Sequence, residues 1–311
     1  MNIARKTSSI QNAGKADNPF FYPSNAYLKK AFSASTSPDP SMHSLGYIRM
    51  TSRKGLSCYR GEFSDVLFSA HPNNDNEYII YPPENKNGYF DVRELSQLLK
   101  ADDKIVKIIR IPEDLSSYVS TVVGGQRSFD TDLDYIYPVH ILNTNTLAEM
   151  QGGKFLKFRN KVKAAIKEGT SVRTTEFSAE DIKSIKEVVS EWAPNLFGDD
   201  YTDSIDYIDY TLDELLSLPN IKGMISERNG VPNGFTIWEE PQDGYQTANS
   251  LIHCSLHQRG ISELLHLEMA KTLRDNGISE LSLGGAETKG LDDFKRKMQP
   301  TRSIKLDTIS I

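Results

Sequence analysis

Hydrophobic and polar positions change rhythm several times along this chain, and the changes divide it. Residues 1–44 are polar, rich in Ser, Pro and Asn, and without apolar period. They read as a flexible N-terminal arm with a few docked aromatics (Phe20, Phe21, Tyr22), whose deletion should cost only a few degrees of melting temperature. From Leu45, short alternations separated by turn residues predict strands in "LGYIRM", "LSCYRGEF", "DVLFSAH" and "EYIIYPP". A helix around Val92–Leu99 follows, then strands in "KIVKIIRIP" and "RSFDTDLDYIYP". Near Thr146 the period lengthens to that of a long helix, which continues through "GKFLKFRNKVKAAIKEG".

The second half has a clearer order. Strand "SVRTTEF" leads to a helix opened by Ser178 with Asp181, a capping-box spacing. A further helix is expected near Ser204–Leu216. "KGMISERNGVPNGFTIWEE" carries the Asn-Gly signal of a hairpin, and strand "YQTANSLIHCSL" follows. Arg259–Pro300 is the most informative stretch. Gly260 opens a helix whose Leu264, Leu267, Ala270 and Leu273 share one face, and Gly277 stops it. Next come a short strand ending in Gly284-Gly285, a basic helix ending at Pro300, and a last strand near Ser303–Ile309. The fold class is therefore α/β (α+β), divided as 1–44, 45–145 and 146–311. No internal repeat is visible in the letters.

Composition narrows the class. At 311 residues, 38% hydrophobic and 25% charged, the chain can bury a proper core. It shows no apolar run of membrane-spanning length and no signal-peptide core, so a soluble cytoplasmic protein without an integral membrane segment is expected. Two cysteines, Cys58 and Cys254, are too few for a disulfide framework and fit a reducing compartment. A net charge of −6 argues against generic nucleic-acid binding but not against a local basic patch.

The order β-α-α-β-β-β-α-β-α-β resembles that of the N-acetyltransferase superfamily fold, GNAT. The letters carry the likeness further. "DLDYIYPVHILNTNTLAEMQGGKFLKFRN" resembles the DYxY…G-K-x-x-K-x-R-N signature of the family around the C-terminal domain of lysyl-phosphatidylglycerol synthase. "RGISELLHLEMAKTL" with "LSLGGAETKGLDDFKRKMQP" resembles that family's second signature, and "YPPENKNGYFDVRELSQLL" its Pro-Pro segment. The likeness covers roughly residues 80 to 300. It implies two tandem GNAT-like domains, each a mixed, mostly antiparallel sheet flanked by helices. It also implies transfer of an aminoacyl group from aminoacyl-tRNA to a small-molecule, peptide or lipid acceptor.

The candidate site residues follow from both readings. The helix at Lys154–Lys167 holds six basic residues and no acidic one, with Phe155, Phe158, Val162 and Ile166 as its core stripe. A solvated face accounts for most of its lysines. Lys157, Arg159 and Asn160 are the K-x-R-N positions and the first candidates for substrate contact, with tRNA as the partner of the basic helix. The resemblance adds Tyr137, the second tyrosine of DYxY. Arg259 and Gly260 sit at a helix mouth suited to an anion, although an ordinary βα unit would read the same way. Coenzyme-A-using relatives show [Gln/Arg]-x-x-Gly-x-[Gly/Ala] there, whereas Ile261 and Ser262 crowd this loop.

Gly284 and Gly285 permit close backbone approach. Lys295 is the candidate cation for a transfer oxyanion, and Glu287 the candidate base. The acidic stretch from Asp199 to Glu214 offers a wall for a cationic acceptor. His253, Cys254 and His257 suggest metal only superficially, so no metal and no tightly bound cofactor are expected. Nucleophile-elbow and P-loop motifs are absent, which fits direct attack without a covalent enzyme intermediate. An acyl-CoA-dependent N-acyltransferase and a non-catalytic GNAT-fold binding protein are the rival readings.

Overall fold

The computed structural model describes residues 19–35, 37–101, 103–197, 210–241, 245–256 and 258–311. It divides into two compact units, one holding the described residues up to Asp134 together with Lys305–Ile311, the other Tyr135–Ile304. In the first unit the order is β1 (Phe20–Phe21), α1 (Asn25–Ala34), α2 (Leu45–Thr51), β2 (Leu56–Arg60), β3 (Asp65–Ala70), β4 (Glu77–Ile80), α3 (Gly88–Lys100), β5 (Ile105–Pro112), α4 (Ser116–Val123) and β6 (Gln126–Ser128).

The second unit opens with β7 (Val139–Asn143), α5 (Thr144–Glu149) and α6 (Leu156–Lys167). It continues with β8 (Thr170–Thr175), α7 (Ala179–Phe197), a helix α8 at 210–216, β9 (Ile221–Arg228) and β10 (Val231–Glu239). Last come β11 (Thr247–Ser255), α9 (Ile261–Asp275), β12 (Glu280–Ser282), α10 (Lys289–Arg296) and β13 (Arg302–Ile304). The final strand, β14 (Leu306–Ser310), belongs to the first unit.

The two sheets repeat one plan. Their orders are β1-β2-β3-β4-β5-β14-β6 and β8-β9-β10-β11-β12-β7-β13. In each, one pair is parallel, β4 with β5 and β11 with β12, and the other neighbours are antiparallel. The sixth place is filled by exchange: the chain leaves β6 to supply β7 to the second sheet, and leaves β13 to supply β14 to the first. A strand's own letters state its period but not the sheet it joins. The division therefore falls at Tyr135 rather than 146, and the last strand returns to the first unit.

The N-terminal segment also differs from expectation. Residues 1–18 and 36 lie outside the described residues, but the rest of the expected arm is the start of the first unit. β1 pairs with β2 through Phe20–Tyr59 and Phe21–Cys58. Ser24 caps α1, which buries Leu28 completely. Asp39, fully buried, accepts from Arg110 Nε at 2.5 Å and Nη2 at 3.0 Å, while the guanidinium lies 4.7 Å over the Tyr47 ring. Low hydrophobicity concealed this, because the segment is held by caps and one buried ion pair as much as by apolar area.

Local chemistry corrects three more expectations. "LGYIRM" is helix α2, because the Ser44 hydroxyl accepts from Tyr47 N at 2.9 Å and so starts a helix where the alternation suggested a strand. In "RSFDTDLDYIYP" only β6 is extended. Asp130 then accepts from the N–H of Asp132 and Leu133 and turns the chain. The helix expected from Thr146 is broken between α5 and α6 at Met150 and Gly152, with φ of 47° and 81°. Across that break α6 buries Phe158, Val162 and Ala165 behind Phe155, leaving Ile166 56% exposed. Other signals translate directly. Ser178 and Asp181 exchange reciprocal hydrogen bonds at 3.2 Å, and Asn229-Gly230 turn at φ 54° and 77°. Of the helix expected near Ser204–Leu216, residues 204–209 lie outside the described residues.

Because Asp39 is the buried partner of Arg110, Asp39→Ala should lower the unfolding free energy by about 3–5 kcal/mol, the usual consequence of orphaning a buried charge. Deletion of residues 1–44 should abolish the cooperative transition of the first unit. Denaturant titration of the three proteins checks both outcomes.

Candidate functional site

β11 and β12 pair only over Thr247–Asn249 and Glu280–Ser282. Beyond Asn249 six residues of β11 run on without that partner, so the parallel strands fork at their carboxyl ends, where α/β units open a crevice. The chain after β12 is drawn toward β7. Leu283 N donates to His140 O at 2.9 Å, His140 N to Gly284 O at 3.2 Å, and Tyr137 N to Ala286 O at 2.9 Å. The two sequence signatures thus meet as backbone neighbours. A Cβ on Gly285 would stand 2.4 Å from the Tyr135 Cβ and Cγ, and Gly284 has φ +67°. The glycine pair is required there to seat Tyr135.

Lys295, on α10, closes the fork from below. Its ammonium is buried and donates to Leu283 O at 2.7 Å, Gly285 O at 2.5 Å and Gly284 O at 3.4 Å. Burial pulls its pKa down to about 8, against the opposing pull of Glu287 and Asp292. Two imidazoles share this space. The His253 ring on β11 lies 4.2 Å from the ring of His266 on α9, which in turn lies 5.5 Å from Phe294. Burial and the neighbouring cations hold His253 well below the usual histidine range, and burial brings His266 to about 4. Both are therefore neutral near pH 7. Such a cluster of perturbed bases in a crevice is a functional-site signature. Ser262 joins it, with Oγ 3.1 Å from His253 Nε2 and 2.6 Å from Ser255 Oγ.

α10 is anchored separately. His140 Nε2 meets Asp292 Oδ1 at 2.7 Å, His140 Nδ1 meets Ser303 Oγ at 2.8 Å, and Arg296 Nε donates to Asp292 Oδ2 at 2.6 Å.

The residues singled out from sequence fall into three places. Tyr137, Gly284, Gly285 and Lys295 come together at the fork, with Glu287 exposed just beyond them. Lys157 and Asn160 are exposed on α6, whereas Arg159 turns back and donates through Nη1 to Met150 O and, at 2.7 Å, to Gly152 O. Arg159 thereby bridges the break between α5 and α6. Arg259 is exposed. Gly260 has φ +84°, and a Cβ there would stand 2.1 Å from the Lys161 carbonyl oxygen, so α9 begins in direct contact with the backbone of α6. One turn in, the buried Glu263 accepts from Lys161 Nζ at 2.6 Å.

The imidazole and hydroxyl cluster went unassigned in the sequence reading. Its signal was the i, i+2 spacing of His253 and Ser255 on a strand, matched by the i, i+4 spacing of Ser262 and His266 on the helix that follows. Residues 198–209 of the acidic stretch, and His257, lie outside the described residues. Among the described residues, one trio of metal-type side chains converges, His71, Glu77 and Asp130 in the first unit. There Lys107 Nζ stands 2.5 Å from Glu77 and 2.9 Å from Asp130, so an ammonium already holds the cation position.

Comparison with known proteins decides the family. The model described as "Phosphatidylglycerol lysyltransferase, C-terminal" matches residues 50–305. The chain belongs to this family. No curated protein sequence matches it significantly. Solved structures of similar fold include a conserved protein of unknown function from Bacteroides thetaiotaomicron VPI-5482, at TM-score 0.72 and 14% identity, covering 94% of this chain and 99% of that one. The C-terminal domain of a putative lysylphosphatidylglycerol synthetase from Agrobacterium fabrum aligns at 0.64 and 14% identity, covering 92% of each chain. A tandem GNAT protein from the clavulanic acid biosynthesis pathway aligns at 0.60 and 11%, covering 94% and 97%. The phosphatidylglycerol lysyltransferase C-terminal family fold here is thus a tandem GNAT-like one. No helix among the described residues is long and apolar enough to cross a membrane.

Because the Lys295 pKa is lowered in the folded state, the unfolded chain binds more protons between about pH 8 and 10.5. Stability of the wild type relative to Lys295→Met should therefore rise with pH across that window. Urea denaturation of both proteins at several pH values reads the difference.

Proposed function

We propose that this chain is an aminoacyltransferase whose second unit takes an aminoacyl group from aminoacyl-tRNA and passes it directly to a nucleophile on a small-molecule, peptide or lipid acceptor. The family is one of acyl-transferring enzymes, and the description of its model names a lysyl transferase. The observation that carries the tRNA donor over an acyl-CoA donor is the mouth of α9. A pyrophosphate at a helix start needs free N–H groups and a positive field. Here Gly260 abuts the backbone of α6, and a buried carboxylate, Glu263, already occupies the first turn. Lys161 is engaged by that charge, so of the two cations beside the mouth, Lys161 and Arg259, only the exposed Arg259 is left for a phosphate.

The fork itself favours a donor that enters from outside. The rings of His253, His266 and Phe294 follow one another at 4.2 and 5.5 Å from β11 to α9 and α10, and we take them to crowd the path of a long thioester arm. Lys157, Lys163 and Lys167 remain exposed on α6, with Lys154 exposed just before it, which suits a polyphosphate backbone. In the reaction, the acceptor's nucleophilic atom bonds to the ester carbonyl carbon and the carbonyl oxygen takes the negative charge. The bond to the ribose oxygen then breaks, and the acceptor's proton ends on the departing hydroxyl. Glu287, at the rim of the same segment, is positioned to take that proton first. Lys295 fixes the Gly284–Gly285 backbone, with Tyr137 bonded alongside at Ala286.

Aminoacyl-tRNA should raise the melting temperature of the purified protein, with the effect lost on ribonuclease treatment, while acetyl-CoA should leave it unchanged. Lys157→Ala and Lys163→Ala should each lower the slope of log affinity against log salt by about 1 or less. Glu263→Gln should admit a measurable acetyl-CoA shift. Protection of the wild type by acetyl-CoA, with none by aminoacyl-tRNA, would overturn the assignment.

A further inference from the structure

Direct transfer needs a donor for the oxyanion, and Lys295 is ill placed to be it. An ammonium has three hydrogens, and all three are directed at the carbonyls of Leu283, Gly284 and Gly285. The fork holds another polar group with a hydrogen to give. Ser262 and Ser255 are both half-buried, one on the first turn of α9 and the other at the end of β11. Their hydroxyl oxygens lie 2.6 Å apart, and Ser262 Oγ also lies 3.1 Å from His253 Nε2.

The direction of the His253 bond follows from burial. His253 is neutral and carries one ring hydrogen. Its Nδ1 is buried without a partner, so a hydrogen placed there would be an unsatisfied donor. The hydrogen therefore sits on Nε2 and is donated to Ser262 Oγ. A hydroxyl oxygen has two lone pairs and one hydrogen. Either hydroxyl can donate across the Ser255–Ser262 contact; with Ser255 as the donor and Nε2–H donating as well, Ser262 keeps its own hydrogen for the fork. Hydrogen bonds accepted by a hydroxyl polarise it and strengthen the bond it donates. His266 Nδ1 donates to the Ser262 carbonyl at 2.7 Å and fixes this turn of α9.

We propose that Ser262 is the oxyanion donor of the second unit, its hydroxyl polarised by His253 and Ser255. This rests on the acyl-transfer reading above and assigns within it a catalytic residue. As the acceptor's bond to the ester carbon forms, the carbonyl electron pair moves onto oxygen and receives the Ser262 hydrogen bond. The pair returns as the bond to the ribose oxygen breaks. Ser262 forms no covalent bond, and the acceptor's proton leaves on the ribose hydroxyl. His253 and Ser255 are positioning residues that act through Ser262.

The test uses the full chain, two donors and hydroxylamine as the acceptor. One donor is aminoacyl-tRNA, the other an activated aryl ester of the same amino acid. Ser262→Ala should lower kcat on both donors by about 10²–10³-fold, as loss of one oxyanion donor does, with KM little changed. Ser262→Thr, which keeps the hydroxyl, should restore most of kcat. Ser262→Cys, which keeps the size but donates weakly, should resemble Ser262→Ala and stands in for it should the alanine variant fail to fold. His253→Ala and Ser255→Ala should each lower kcat by about tenfold, the effect of one lost hydrogen bond. A folded Ser262→Ala or Ser262→Cys protein with wild-type kcat overturns the assignment of Ser262 and leaves the donor reading intact. Wild-type turnover of the aryl ester but not of aminoacyl-tRNA overturns the donor reading, while Ser262 is still judged on the ester. Wild-type turnover of neither overturns both.

Discussion

One buried ammonium organises the second unit. Lys295 spends its hydrogens on the three carbonyls that follow β12, and so holds that segment away from β11. Without it the Leu283 and Gly285 carbonyls would lose this donor, at a cost of about 1–3 kcal/mol each, while Gly284 O would keep the His140 N–H. Burial, with the charge of the same ammonium adding to it, keeps His253 and His266 neutral, so the crevice contains hydrogen-bonding imidazoles rather than cations. The His140–Asp292–Arg296 bonds fix the helix that carries it.

That arrangement constrains how a donor is bound. The GNAT plan offers two features for a coenzyme A: a helix mouth for its pyrophosphate and a gap between parallel strands for its arm. In this chain Glu263 and the contact of Gly260 with α6 occupy the first, and the rings of His253, His266 and Phe294 lie one against the next beside the second. The lysines of α6 stay exposed, and on the proposed reading a macromolecular donor presents its reactive ester beside them.

Much of this was legible in the letters, and the exceptions have physical reasons. The βαβ unit around α9, the Asn229-Gly230 hairpin and the Ser178–Asp181 cap were readable because each is a local signal. Gly284, Gly285, Lys295 and Tyr137 were picked out by motif, and the structure gathers them at one place. The role of each glycine was not readable. Gly285 makes room for Tyr135 and Gly260 for the Lys161 carbonyl, both neighbours remote in sequence. The exchange of β7 and β14, and the docking of Asp39 on Arg110, were hidden because both depend on long-range pairing. A similar limit concealed Ser262, whose meaning appears only once a strand and the following helix set it against His253.

The repeated plan of the two units bears on the proposal that the chemistry belongs to the second. In the first unit β4 and β5 also run parallel and then part, after Ile80 and Ile108. Just beyond, Arg110 is locked to Asp39 with both side chains buried and their charges matched. A paired, fully desolvated ion pair holds structure but has little left to offer a ligand. The fork of the second unit differs in kind. His253, His266 and Lys295 are three basic groups, and among the described residues none has a carboxylate as a hydrogen-bond partner. Burial holds His253 and His266 neutral and pulls Lys295 to about 8 against the pull of Glu287 and Asp292, so on the proposed reading negative charge developing on a substrate meets hydrogen-bond donors there. One copy of the fold carries an internal salt bridge beside its fork, and the other carries uncharged imidazoles there.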